Sequence, residues 1–177
     1  QMKLKPMADN VLLKAYEDVS DMLYFFVARK SEAELCKDFI TEITEKLQIP
    51  ILGEVSRFAD IFKFLMQLSK TRHLTVVIDE FQDFKRVNPS VFSDMQKIWD
   101  LNKAEAHINL VVCGSIYSLM NVIFKGSKEP LYGRQTGEIK VTAFPPSTIR
   151  EILACYNPSF TAEDLLALYL YTGGVAE

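Results

Sequence analysis

The run Leu74-Thr75-Val76-Val77-Ile78, closed abruptly by Asp79-Glu80, constrains the fold more than any other stretch of the chain. Apolar and β-branched residues in succession, with no turn former among them, read as a central strand of a parallel sheet. The two carboxylates are then delivered to the carboxyl edge of that sheet, where open α/β folds bind their ligands. A second run, Ile108-Asn109-Leu110-Val111-Val112-Cys113, ends in Gly114-Ser115, and 36 residues separate Asp79 from Ser115. With a helical pattern between the runs, that is the spacing of one βαβ unit, and it places Ser115 next to Asp79.

The rest of the chain extends the same alternation. Residues 22–28 form an aromatic and apolar strand, preceded by a short helix over 11–17. Ser31-x-x-Glu34 is a capping box that opens a helix with Leu35, Phe39, Ile43 and Leu47 on one face, ended by Pro50. Val55, Phe58, Phe62 and Leu65 mark the next helix, and Asn88 as N-cap with Pro89 as first residue starts another through Trp99. A helix through Leu119-Met120 leads into a loop over 124–137 holding Gly126, Pro130, Gly133 and Gly137, and 138–143 reads as one further short strand. Pro145-Pro146 and Thr161-x-x-Asp164 introduce two final helices. Strands separated by helical patterns imply a parallel sheet with helices on both faces.

Composition narrows the function classes. At 177 residues and 49% apolar the chain has the makeup of a compact globular domain. A formal charge of −3 gives no general attraction for a nucleic-acid backbone, so any such contact must be local. No apolar stretch approaches the roughly 20 residues that span a bilayer, so membrane insertion is not expected. Cys36, Cys113 and Cys155 are odd in number and far apart, which argues against a disulfide framework or a structural zinc and for a reducing cytoplasm. Gln1 is not a natural initiator, and the chain stops soon after Gly173-Gly174, so continuation past both ends is expected.

Chemistry concentrates at the strand ends. Magnesium takes hard carboxylate oxygens beside phosphates, which suits Asp79, and Glu80, one residue further on, can polarise a water as general base. The bland alternative is two solvated acids. Ser115 can orient water or sense a phosphate, or simply cap the following helix. Arg134, in the Gly-flanked Tyr132-Gly133-Arg134 loop, can reach a phosphate or remain a solvated loop arginine. His73 and His107 precede strands and read as edge residues, Cys113 as core, and Arg29 and Lys30 as a salt-bridged helix start in preference to a ligand contact.

Leu23-Tyr24-Phe25-Phe26, Arg29-Lys30-Ser31-Glu32, Val77-Ile78-Asp79-Glu80-Phe81-Gln82, Val112-Cys113-Gly114-Ser115 and Pro130 through Glu138 together resemble the archaeal-type P-loop ATPases. That family lies near the AAA+ and signal-transduction (STAND) ATPases and is also found in bacteria. The resemblance implies a three-layer P-loop NTPase-like α/β core over 1–144 and the start of a helical lid over 145–177. It implies Asp79-Glu80 as the Walker B pair with Asp79 on Mg2+, Glu80, Ser115 and Arg134 as catalytic residues, and ATP as cofactor. It also implies an effector module beyond the lid, of winged-helix or nuclease-like type, and leaves a homo-oligomer open.

One element of the family pattern is missing. No Gly occurs before Gly53, and Asp9 and Asn10 stand where the Lys and the Thr or Ser of a phosphate loop belong. Gly173-Gly174-Val175-Ala176 likewise carries Ala where the family's lid has Pro. Two readings follow: an Mg-ATP-hydrolysing domain that moves a larger protein, or a nucleotide-independent interaction module on the same scaffold that binds ATP weakly or not at all. A hydrolase of the Gly-x-Ser-x-Gly type is disfavoured, since no such elbow occurs.

Overall fold

The computed structural model describes residues 21–51 and 53–175. The helix expected over 11–17, together with Asp9 and Asn10, lies outside them. The described residues fall into two compact units, 21–136 and 137–175.

The first unit is α/β. Strands β1 (Met22–Phe26), β2 (Leu74–Asp79) and β3 (Ile108–Val112) form one parallel sheet in the order β1-β2-β3. The register sets Tyr24 against Val77, Phe26 against Asp79, and Ile78 against Val112. Burial alternates along β2, with Leu74, Val76 and Ile78 buried and Thr75, Val77 and Asp79 only partly so. The run is therefore not covered equally on both sides: residues i and i+2 share a face, and one face takes the main core.

Helix α1 (Glu32–Leu47) forms as its signals dictate. Ser31 and Glu34 make both halves of the capping box, and Leu35, Phe39, Ile43 and Leu47 are buried on one stripe. Helix α2 (Phe58–Leu68) has no cap of its own; Glu32 supplies one, accepting the Phe58 N–H at 2.8 Å on one oxygen and the Asn88 side-chain amide at 2.7 Å on the other. After β2 comes a 3₁₀ turn (Phe81–Asp83) and a single turn of helix α3 (Phe84–Val87), neither of which the sequence pattern announces. Helix α4 (Ser90–Asn102) starts one residue later than expected: Pro89 is the N-cap, and Asn88 accepts the Ser90 N–H at 3.1 Å. Helix α5 (Tyr117–Lys125) follows β3.

Phenylalanines tie these elements to the sheet. Phe25 of β1 stacks on Phe39 of α1 at 4.5 Å, Phe39 meets Phe58 of α2 at 5.8 Å, and Phe58 meets Phe84 of α3 at 4.7 Å. Phe81 then contacts Phe84, Phe92 of α4 and Phe124 of α5. Full burial of each such ring contributes about 1.5–3 kcal/mol, and the chain of contacts fixes the turn after β2 against three helices.

The second unit holds α6 (Pro146–Tyr156) and α7 (Ala162–Thr172), packed as a pair. Thr161 and Asp164 form the expected capping box, and Gly173 closes α7 in the left-handed conformation at φ 58°. Gly174, at φ 79°, lies so close to Phe144 that a Cβ would sit 2.4 Å from the Phe144 carbonyl oxygen. Residues 138–143 are not a strand, contrary to the sequence pattern. Ile139 and Val141 are 89% and 71% exposed. Alternation of side chains is not by itself enough to make a strand.

Candidate functional site

The acidic pair stands where β2 meets the 3₁₀ turn. Asp79 is the last residue of the strand and shares a face with Val77 and, across the register, with Tyr24. The Tyr24 hydroxyl donates to Asp79 Oδ2 at 2.7 Å, and the Glu80 N–H donates to Asp79 Oδ1 at 2.8 Å. Each oxygen thus has one partner and keeps lone-pair capacity, since an ionised carboxylate offers about four acceptor sites. That donor set fits a hydrated magnesium ion, which takes one or two protein carboxylates and fills its remaining positions with water and phosphate oxygens. Among the described residues no cluster of three or more His, Cys, Asp or Glu exists that would suit a metal wanting more protein ligands.

Glu80 adopts the left-handed conformation, φ 50° and ψ 37°, an uncommon state for a residue other than Gly, Asn or Asp. The twist turns the chain out of the strand and into the buried 3₁₀ turn. Two donors then meet on one carboxylate oxygen: the Gln82 side-chain amide and the Ser115 hydroxyl, the latter at 3.0 Å, both reach Glu80 Oε2. Ser115 is therefore not a helix cap. The N-cap of α5 is Ile116, without a side-chain cap bond, and the serine spans from the end of β3 to the acid after β2. Its expected place at the same sheet edge as Asp79 holds, but its hydrogen-bond partner is Glu80. Backbone bonds Cys113 N–H to Ile78 O at 2.8 Å and Phe81 N–H to Cys113 O at 2.9 Å hold the two strand ends together.

Gln82 is 1% exposed, and its Oε1 has no hydrogen-bond partner. That oxygen lies against Gly114: a Cβ there would be 2.2 Å from it and 2.7 Å from Met120 Sδ. A side chain at position 114 would have to displace Gln82 and Met120, and its absence makes room for the amide that holds Glu80.

Arg134 is not brought to the acidic pair. Its guanidinium donates to Asp100 Oδ2 at 2.6 Å and Oδ1 at 3.3 Å, and to the carbonyls of Pro130 and Tyr132 at 2.8 and 3.1 Å. It staples its own loop to α4, and its hydrogen bond holds the Asp100 carboxyl below the usual aspartate range. His73 and His107 lie at the opposite, amino edge of the sheet, rings 4.9 Å apart, beside an open cleft of about 330 Å³.

Tyr24, Gln82 and Asp83 are the site residues that sequence reasoning passed over. For Tyr24 a signal exists: Leu23 and Phe25 belong to the core, so the residue between them faces the side on which Asp79 lies. Gln82 and Asp83 follow the acidic pair directly, but nothing in local spacing announces that the turn folds inward.

The sheet thus gathers two acids and a serine at its carboxyl edge, and comparison with known proteins places the chain in a family. The model of a family described as an ATPase domain predominantly from Archaea matches residues 8–177. The chain belongs to this archaeal-type ATPase family. Two relatives are uncharacterized proteins of Methanocaldococcus jannaschii. One is 31% identical over 100 residues, covering 56% of this chain and 22% of the relative; the other is 38% identical over 56 residues, covering 32% of this chain and 54% of the relative. A Walker-type ATPase of Pyrococcus abyssi is similar in structure, with a TM-score of 0.68 at 16% identity over 98% of this chain and 57% of the other. That likeness establishes the α/β fold of this archaeal-type ATPase domain, which spans only part of the length of each of these proteins. No helix among the described residues is long and apolar enough to cross a membrane.

Proposed function

We propose that this domain binds Mg-ATP in a larger protein and hydrolyses it to drive a conformational change, with Asp79-Glu80 as the Walker B pair of an AAA+/STAND-like site. The observation that carries this reading is the convergence of Gln82 and Ser115 on a single oxygen of Glu80. One carboxylate oxygen is anchored by neutral donors, and the other is left to accept a proton from a water. Solvated acids at a strand end would not require a buried amide and a serine from the next strand to fix them.

In this reading Asp79, oriented by Tyr24, holds magnesium, which when bound neutralises phosphate charge. Glu80 polarises the attacking water and Ser115 orients Glu80. Arg134 can join only by leaving Asp100. The greater length of the relatives supports an attached effector module, and three cysteines outside any disulfide suit a reducing cytoplasm. The absence of any glycine before Gly53, with Asp9 and Asn10 at the phosphate-loop positions, favours a second reading, a scaffold that interacts without nucleotide.

Single-turnover hydrolysis and equilibrium binding of ATP by the full-length protein, with metal concentration varied, separate these readings. Glu80→Gln should retain ATP while losing turnover by about 10²–10⁴-fold, and Asp79→Asn should weaken the magnesium-dependent part of binding. Parental hydrolysis by Glu80→Gln removes Glu80 as the base, and no Mg-ATP binding by the unmodified protein favours the interaction module.

A further inference from the structure

The carboxyl edge of the sheet carries a second polar feature that the acidic pair does not use. Beyond β1 the Val27 N–H still pairs with the Asp79 carbonyl at 3.0 Å, and the chain then presents Arg29 and Lys30 before Ser31 caps α1. From the other side α3 brings Lys85 and Arg86. Arg29, Lys30, Arg86 and Val87 line an open cleft of about 240 Å³.

Three of the four residues lining this cleft are cations. Arg29 Nε donates to Asp83 Oδ2 at 2.9 Å, yet the Arg29 side chain remains 63% exposed. Its pKa is raised, first by that hydrogen bond and then by the charges of Asp83 and Glu80. Lys30 pairs with Asp38 of α1. Lys85 and Arg86 are exposed and form no ion pair among the described residues. Of the three lining cations, Arg29 and Lys30 therefore pair with Asp83 and Asp38, the charges of Glu80 and Glu34 also reach these two, and Arg86 is the lining cation with no ion pair among the described residues.

Asp83 fastens Arg29 by one nitrogen only, which aims the guanidinium while leaving its terminal N–H groups for another acceptor. Two guanidinium groups, 57 residues apart in sequence, flank the opening. Their planar forks match the tetrahedral oxygens of phosphate better than a lone carboxylate. Val87 adds an apolar surface of the kind a sugar can rest on, and the open shape admits a chain running across it.

We propose that this cleft, beside the acidic pair and lined by other residues, is a phosphate-binding site whose phosphate is carried by a nucleic-acid backbone. The site requires no nucleotide at Asp79-Glu80, so it stands or falls apart from the ATPase reading. Backbone phosphates are held by a few local cations through counterion release, which an overall acidic chain can still provide.

The test is fluorescence anisotropy of a fluorescein-labelled single-stranded oligothymidylate with this chain over a series of salt concentrations, with inorganic phosphate as the second probe. Saturable binding is expected at low salt. Arg86→Ala, which breaks no ion pair, should weaken it by about tenfold and lower the slope of log K against log salt by about 1. Arg29→Ala should weaken it as well, whereas Lys97→Ala on exposed α4 surface should not. No binding of either probe, or equal binding by Arg86→Ala, Arg29→Ala and Lys97→Ala, overturns the site. Phosphate binding that depends on Arg86 without oligonucleotide binding upholds the phosphate site and overturns the nucleic-acid source.

Discussion

Gln82 uses the two ends of one buried amide unequally. Its nitrogen serves Glu80, while its oxygen, pressed against Gly114, has no partner. A buried acceptor without a hydrogen bond costs about 1–3 kcal/mol, so this side chain is suboptimal for folding and is explained by what it does to Glu80. Gln82→Met keeps the length and removes both polar ends. The urea midpoint of this variant should equal or exceed the parent's, by up to about 1 kcal/mol in stability, while single-turnover hydrolysis by the full-length protein falls about tenfold. A parallel loss of stability with unchanged hydrolysis makes Gln82 a packing residue only. None of this is legible from spacing, because Gln82, Gly114 and Ser115 meet only after β2 and β3 pair. The place of Asp79 and Glu80 was legible because a carboxylate pair closing a β-branched run marks the end of a strand.

Elements whose signals are local were readable from the chain, and those that depend on a distant partner were not. Both capping boxes formed as their four-residue patterns dictate, since cap and acceptor lie within one turn of each other. The turn over 81–87 escaped notice because its phenylalanines point into neighbours from three other elements, and 138–143 was misread because alternation does not reveal whether a strand has anything to pair with. The pairing of Asp21 with Arg72 belongs to the same class. Arg72 donates twice to Asp21, and the Asp21 carbonyl accepts the Thr75 N–H at 3.0 Å, joining the amino ends of β1 and β2. The hydrogen bond from Arg72 holds the Asp21 carboxyl below its ordinary range. A carboxyl lowered on folding contributes stability above its unfolded value and loses it as pH falls through the folded one. Urea midpoints of parent and Asp21→Asn should therefore differ at about pH 6, by about 1 kcal/mol for a partly buried pair, and converge as pH falls below the ordinary aspartate range. A difference that persists or grows on acidification rejects the pair as the cause.

At the scale of the molecule, the phenylalanine contacts bind the sheet and helices of the 21–136 unit into one core. Cys36 sits in the same core, 0% exposed, and burial pushes its thiol up to about 12. Cys155, on α6 of the second unit, is exposed. Thiol labelling near neutral pH should modify Cys155 quickly and Cys36 only at the rate at which the 21–136 unit opens, as mass spectrometry over time would record; equal rates would show that the core admits reagent without unfolding. The same reasoning reaches Glu80. Phe81, the next residue, touches rings of α3, α4 and α5, so the acid after β2 hangs from the most protected part of the fold and not from a mobile loop. Its backbone amides should be among the last to exchange with solvent in a hydrogen-exchange measurement. Heat or denaturant should therefore abolish the site and the core in one step, leaving no temperature range in which the domain is folded but its acidic turn has already melted.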